Sequence, residues 1–194
     1  MNGYRCIACA ETQAADFAGF VCPGCGGNLD VTFDYAAIAD AVAGGFGDER
    51  TDLFRYAPLL PVKRTDTPFP LHVGGTPLYA APRLGNLLGL RNLYLKDDTV
   101  NPSASTKDRA GAVALRRAVD IGADVVSVAS TGNAGSSLAC LAAALGLHAV
   151  VFVPEDAPVA KLTQSLSFGA TVFAVRGSYD DAFDLCLSCL LYTS

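Results

Sequence analysis

Three sets of residues in this 194-residue chain have the types and spacing to do chemistry. The first is two Cys-x-x-Cys units, Cys6/Cys9 and Cys22/Cys25, twelve residues apart. Thiolates at that spacing close a tetrahedral four-sulfur zinc site with no open position, so the metal would be structural, stapling a segment too short to hold a core alone. Four reduced structural cysteines are the plain alternative. The second is Lys107, in the run Asn101-Pro102-Ser103-Ala104-Ser105-Thr106-Lys107-Asp108-Arg109-Ala110. A lysine where a loop becomes a helix sits beside backbone N–H groups that lack helical partners, in a field that attracts anions. Its uncharged amine is a nucleophile that forms a Schiff base with an aldehyde cofactor; an ordinary solvated lysine is the alternative. The third is Ser130-Thr131-Gly132-Asn133, a hydroxyl-rich turn that can bind a carboxylate or phosphate through backbone N–H groups, or can simply cap a helix.

The elements that must position these residues can be read from periodicity. Leu93-Tyr94-Leu95-Lys96 reads as a short strand broken by Asn101-Pro102. After Lys107, Ala110, Val113, Ala114, Ala118 and Ile121 recur at helical spacing with Arg116, Arg117 and Asp120 opposite, which predicts an amphipathic helix with the alanine side inward. Val125-Val126-Ser127-Val128 predicts a buried parallel strand ending at the Ser130 turn. A helix with Leu138, Leu141, Ala142 and Leu145 on one face then stops at Gly146. His148 to Pro154 is the next strand, Pro158 opens a helix carrying Lys161 and Gln164, residues 169–175 form a strand, and a further helix begins at 177–182. This alternation implies a parallel α/β layer with right-handed crossovers and ligands at the carboxyl ends of the strands, where Lys107 and Asn133 are expected. Tyr35 to Val42 predicts a short helix, and Leu53-Phe54-Arg55-Tyr56 an aromatic anchor packing a linker onto the main domain. Cys140 reads as a small core residue, and His72 and His148 as solvated or structural.

Composition bounds the classes. Hydrophobic residues make up 51% and charged residues 17%, enough for a well-buried core. The net charge of −5, without a basic stripe, excludes a general nucleic-acid surface. The first six residues lack the apolar core of a signal peptide, and the longest apolar run, Leu138 to Val153, is too short to span a membrane. A cytoplasmic protein with no nucleic-acid or membrane partner is expected.

Several of these segments resemble one family. Asn101, Pro102, Ser105, Lys107, Asp108 and Arg109 match the lysine run Asn-Pro-Thr-Gly-Ser-Phe-Lys-Asp-Arg of the pyridoxal-phosphate enzymes of the tryptophan-synthase β-subunit fold, most closely the threonine synthases, while Ser103, Ala104 and Thr106 depart from it. Gly74-Gly75-Thr76-Pro77-Leu78 is similar to the family's Gly-x-Thr-Pro-Leu motif, and Ser130-Thr131-Gly132-Asn133 to its Ser-Ser/Thr-Gly-Asn loop. The Pro-x-x-x-Pro, Gly-Ala-x-Val and Gly-x-Tyr-Asp stretches downstream follow the same order. The resemblance implies an α/β, three-layer parallel-sheet domain of pyridoxal-phosphate fold type II, incomplete here, preceded by a zinc-ribbon-like module such as many threonine synthases carry. It implies that Lys107 holds pyridoxal 5'-phosphate, that Asn133 hydrogen-bonds the cofactor's ring oxygen, and that Ser130 and Thr131 hold the α-carboxylate of a small amino-acid substrate. Arg109 and Lys96 are basic residues near the site to which it assigns no role.

The expected organisation is a zinc-ribbon-like module over residues 1–30, a connecting segment over 31–75, the first part of the catalytic region over 76–188, and a tail over 189–194. Cys189-Leu190-Leu191-Tyr192-Thr193-Ser194 resembles the translation of a sequencing-library transposon end, so the natural sequence is expected to stop near Ser188, with Cys186 and Cys189 an accidental pair. The family's cofactor-phosphate loop and pyridine-nitrogen partner would then lie in an absent half, and this chain alone would bind cofactor poorly; the full-length enzyme would be a possible homodimer. The implied activity is conversion of O-phosphohomoserine to threonine and phosphate. Cysteate synthase, threonine dehydratase or another β-replacement enzyme is the alternative with the same cofactor. A non-catalytic zinc-ribbon binding protein is the alternative of another class.

Overall fold

A computed structural model describes residues 1–47, 49–63 and 67–192. The cysteine-bearing segment forms a three-stranded antiparallel sheet: β1 (Gly3–Cys6) pairs with β2 (Thr12–Ala14) on one side and β3 (Leu29–Thr32) on the other. Helix α1 (Tyr35–Ala41) follows, capped by Asp34, whose side chain accepts the Ala37 N–H at 3.0 Å. A 3-10 helix, Leu53–Leu59, then plants Phe54 against Phe69, their rings stacked with centroids 5.5 Å apart. Both rings are buried with Val73 and Leu115, so this segment is the aromatic anchor expected of it.

Strand β4 (Leu78–Ala80), helix α2 (Pro82–Leu88) and β5 (Tyr94–Lys96) come next, and β4 and β5 pair antiparallel in a ribbon of their own. The strand before the lysine therefore exists but is not part of the parallel sheet. Helix α3 (Lys107–Asp120) leads into β6 (Val125–Ala129), α4 (Asn133–Leu145), β7 (His148–Pro154), α5 (Val159–Ser167), β8 (Thr171–Val175) and α6 (Tyr179–Tyr192). Residues 193 and 194 of the expected tail lie outside the described residues.

The parallel sheet has the order β6-β7-β8. Its central strand decides the layering, because successive side chains point to opposite faces. Ala149, Val151 and Val153 join Leu115 of α3 and Ala139, Leu141 and Ala142 of α4 in one core, while Phe152 meets Ala182 and Cys186 of α6 in another. Helices thus cover both faces, giving three layers. Leu115 and Leu141 are fully buried, each worth about 1.5–3 kcal/mol in transfer from water. Strand β6 is an edge of the described sheet, which leaves Val125 54% exposed where a fully buried strand was expected.

Helix α3 departs from its periodicity. Its inward residues are Asp108, Ala112, Leu115 and Arg116, whereas Ala110 and Ala114 are exposed and Ile121 is 48% exposed. Arg116 is buried because its guanidinium covers the Phe54 and Phe69 rings and donates to the Thr67 carbonyl. The Ala114, Ala118 and Ile121 side lines an apolar groove with Phe20 and Leu138 instead. The cysteine-bearing sheet rests on this same helix, Arg117 Nη2 donating to the carbonyls of Ala15 and Phe17 at 3.0 and 3.3 Å. Among the described residues no helix is long and apolar enough to cross a membrane.

Candidate functional site

The four cysteines converge. Their sulfurs lie within 4.8 Å of one another, with Cys6 to Cys25 at 3.5 Å and Cys9 to Cys22 at 3.6 Å. Sulfurs bound tetrahedrally at the usual zinc–thiolate length would be about 3.8 Å apart, so the cluster has the dimensions of a closed zinc site. Two matching turns build it: Ala10 N–H bonds the Cys6 carbonyl at 3.0 Å, and Gly26 N–H bonds the Cys22 carbonyl at 2.8 Å. Both turns need a left-handed residue after the second cysteine. Gly26 supplies it at φ 71° in one, and in the other it is Ala10, a non-glycine residue at φ 62°. The backbone N–H of Cys9 draws the Cys6 thiol down to about 6, while the other three thiols of the cluster are raised.

The lysine loop is held by its own side chains. Asp108, with no exposed surface, accepts the Ser103 N–H at 2.7 Å and the Ser103 hydroxyl at 2.5 Å. Lys107 N–H is taken by Ser105 Oγ at 3.1 Å. Ala104 sits at φ 58°, a left-handed conformation, at the position where the family run has glycine. Burial raises the Cys140 thiol, with the Asp108 carboxylate adding to the effect, as suits a core residue.

The loop is also tied to the turn before β4. Asn101 Oδ1 accepts the Gly74 N–H at 3.0 Å, and Thr76 Oγ1 donates to Asp98 Oδ1 at 2.7 Å. Arg109 makes a two-pronged contact with Asp98 and reaches Thr76 Oγ1 at 3.1 Å, and Lys96 Nζ donates to the Thr76 carbonyl. The two basic residues left without a role are thereby committed to the scaffold. The Arg109 guanidinium holds the Asp98 carboxyl far below the ordinary carboxylate range, and Asp98 raises Arg109 in turn.

Lys107 opens α3 and Asn133 opens α4, and both line one cleft of about 520 Å³ together with Gly132, Ser136, Ala160 and Gln164. That volume lies in the range of small-molecule sites. Asn133 stands at the carboxyl end of β6 as expected. Lys107 comes to it from the antiparallel ribbon, through the close packing of α3 on α4 at Gly111, where a Cβ would stand 2.9 Å from Ser137 Oγ. Ser130 and Thr131 are half-buried in the turn leading into α4, Ser130 Oγ accepting the Gly132 N–H at 3.3 Å. Ser136 and Gln164 were not foreseen as cleft residues. Ser136 is one helical turn after Asn133, a spacing that signals a shared face, whereas Gln164 is brought in by tertiary packing and donates to the Ser103 carbonyl at 3.3 Å. Tyr179 of the Gly-x-Tyr-Asp stretch bonds the Ala129 carbonyl at 3.0 Å and steadies the end of β6.

The α/β fold thus places a lysine and an asparagine at two helix N termini around one cleft. The chain belongs to the pyridoxal-phosphate dependent enzyme family, whose model matches residues 69–191, and its fold is fold type II of those enzymes. It is 40% identical over 183 residues to threonine synthase of Methanocaldococcus jannaschii, covering 93% of this chain and 45% of that one. To threonine synthase of Methanosarcina acetivorans it is 37% identical over 186 residues, covering 95% and 45%. The chain thus spans about half the length of these curated relatives. Threonine deaminase isoform 2 of Solanum lycopersicum superposes with a TM-score of 0.53 at 24% identity, over 60% of this chain and 32% of that one. A pyridoxal 5'-phosphate-dependent aspartate racemase gives 0.55 at 25%, over 60% and 37%. The donor set fits pyridoxal phosphate: an amine for its aldehyde and a side-chain amide for its ring oxygen face one cleft, beside an α4 N terminus that no side chain caps.

Proposed function

We propose that the full-length protein is a pyridoxal-phosphate-dependent lyase of the threonine-synthase type, converting O-phosphohomoserine to threonine and phosphate. The observation that carries this reading is the meeting of Lys107 and Asn133 in one cleft, in a chain 40% identical to a curated threonine synthase. When bound, the cofactor supplies an electron sink for charge developing on the substrate's carbons. Lys107 would hold it through Nζ, and the same amine, when free, would carry protons among the substrate's α, β and γ carbons. Asn133 would offer its side-chain amide to the cofactor's ring oxygen. Ser130 and Thr131, with the N–H groups of the first turn of α4, receive the substrate's α-carboxylate. Arg109 and Lys96 are engaged by Asp98 and Thr76, so neither is assigned the substrate phosphate. Cys6, Cys9, Cys22 and Cys25 hold a structural zinc ion.

Phosphate release from O-phosphohomoserine by the full-length protein, measured beside ammonia release from threonine, tests this reading. Phosphate release that depends on pyridoxal phosphate is expected. Ammonia release instead would make the protein a threonine dehydratase, and neither activity with retained zinc would favour a non-catalytic zinc-ribbon protein.

A further inference from the structure

Two walls of the cleft come from distant parts of the chain. Lys107 opens α3 at the end of the 101–106 loop, whereas Ala160 and Gln164 stand on α5, four residues apart and so on one helical face. Ser103 is where these walls meet. It is only 5% exposed, and each of its polar groups has a partner: its N–H and hydroxyl donate to Asp108 at 2.7 and 2.5 Å, and its carbonyl accepts from Gln164 Nε2 at 3.3 Å. Asp108 directly follows Lys107 in the first turn of α3. A polar chain thus runs from α5 through Ser103 to the residue beside the lysine. Ser105 Oγ, which accepts the Lys107 N–H at 3.1 Å, holds the lysine's own backbone to the same loop. A carbonyl only accepts, so the Gln164 amide is turned with Nε2 towards Ser103. Helix α5 does not need this bond to fold, since Leu162 packs it against the core.

We propose that Gln164 is a positioning residue for Lys107: by holding the Ser103 carbonyl from α5, it fixes the separation of the two cleft walls and with it where the lysine stands relative to Asn133. The inference rests on Lys107 being the cofactor lysine. Asp108 ties Ser103 to α3 alone, so losing the Gln164 bond leaves the loop folded but frees α5 from it. Displacing a reacting group by about 1 Å costs on the order of 100-fold in rate, and a neutral hydrogen bond is worth up to about 10-fold in an equilibrium constant. A slowing of about 10-fold is therefore expected on loss of this one bond.

Two variants of the full-length protein test it. Gln164→Met keeps the length and helix propensity of the side chain and removes the donor. Thr163→Ala, at the exposed neighbouring position, removes only a bond within α5, from the Thr163 hydroxyl to the Val159 carbonyl at 2.9 Å. With pyridoxal phosphate added, borohydride reduction of the C=N bond at timed intervals, followed by peptide mass analysis, reads the rate of cofactor attachment at Lys107 without reference to turnover. Gln164→Met should be trapped about 10-fold more slowly than wild type with a melting temperature within about 5 °C of it, and Thr163→Ala should be trapped at the wild-type rate. An unchanged rate in Gln164→Met would overturn the proposal while leaving the lysine assignment intact. Equal slowing in Thr163→Ala, or a larger fall in the melting temperature of Gln164→Met, would also overturn it, because the effect would then come from a loosened helix. Failure of the wild type to trap at Lys107 would overturn the assignment beneath it.

Discussion

Asp108 offers the sharpest stability test, because each of its carboxylate oxygens has its own donor and both donors belong to Ser103. Asp108→Ala would leave the N–H and hydroxyl of Ser103 without partners at a position only 5% exposed. A buried donor left unsatisfied costs about 1–3 kcal/mol, so the pair sums to about 4 kcal/mol. That is a large share of the roughly 5–15 kcal/mol by which domains are stable. Asp108→Asn behaves differently. Its amide oxygen can still accept the Ser103 N–H, and its NH2 can donate to a reversed Ser103 hydroxyl, so only charge assistance is lost, about 1–2 kcal/mol. Urea unfolding followed by circular dichroism should show a midpoint lowered by about 1.5–2 M for Ala and about 0.5–1 M for Asn, with the slope unchanged near 2 kcal/mol/M. An Ala variant within about 0.5 kcal/mol of wild type, or an Asn variant as damaged as Ala, would refute the reasoning that these two bonds hold the loop.

Three further outcomes follow from the same geometry. Ala104→Gly should stabilise the protein by about 0.5 kcal/mol, because relief of the left-handed strain at φ 58° outweighs the extra freedom glycine has when unfolded; thermal melting checks it, and a lower melting temperature would contradict it. Asp98 is depressed in the folded state by Arg109, so its contribution is present above the ordinary carboxylate range and is lost as pH falls below about 4. The stability gap between wild type and Asp98→Asn should therefore narrow in acid, as urea titrations at pH 7 and pH 3 would show. Cys9→Ser should lose zinc that the wild type retains through gel filtration, read by atomic absorption; equal retention would argue against the four-thiolate site.

Much of this fold was legible because its strands and helices carry strong local signals. The β-branched run before Ser130 and the glycine stop at Gly146, in the left-handed region at φ 72°, needed no tertiary information. The inward face of α3 was misread because alanines at helical spacing look like a core stripe and arginines look solvated. Here the aromatic rings of a distant segment, Phe54 and Phe69, gave Arg116 a buried partner that no local pattern announces. Strand β5 was found, but its sheet was not, since a run of three residues carries no information about which neighbour it pairs with. At the site, residue identity singled out Lys107 and the family resemblance singled out Asn133, and the structure brings both to one cleft. The network around Asp98 was missed because an acidic residue after a strand is an ordinary turn residue until the fold brings Thr76 and Arg109 to it.

The central claim is that Lys107 carries the cofactor. Its most direct test is the visible absorbance of the full-length protein mixed with pyridoxal phosphate, wild type against Lys107→Ala. A band from the lysine-bound cofactor is expected in the wild type and none in the variant; a band unchanged by the substitution would contradict the assignment of Lys107.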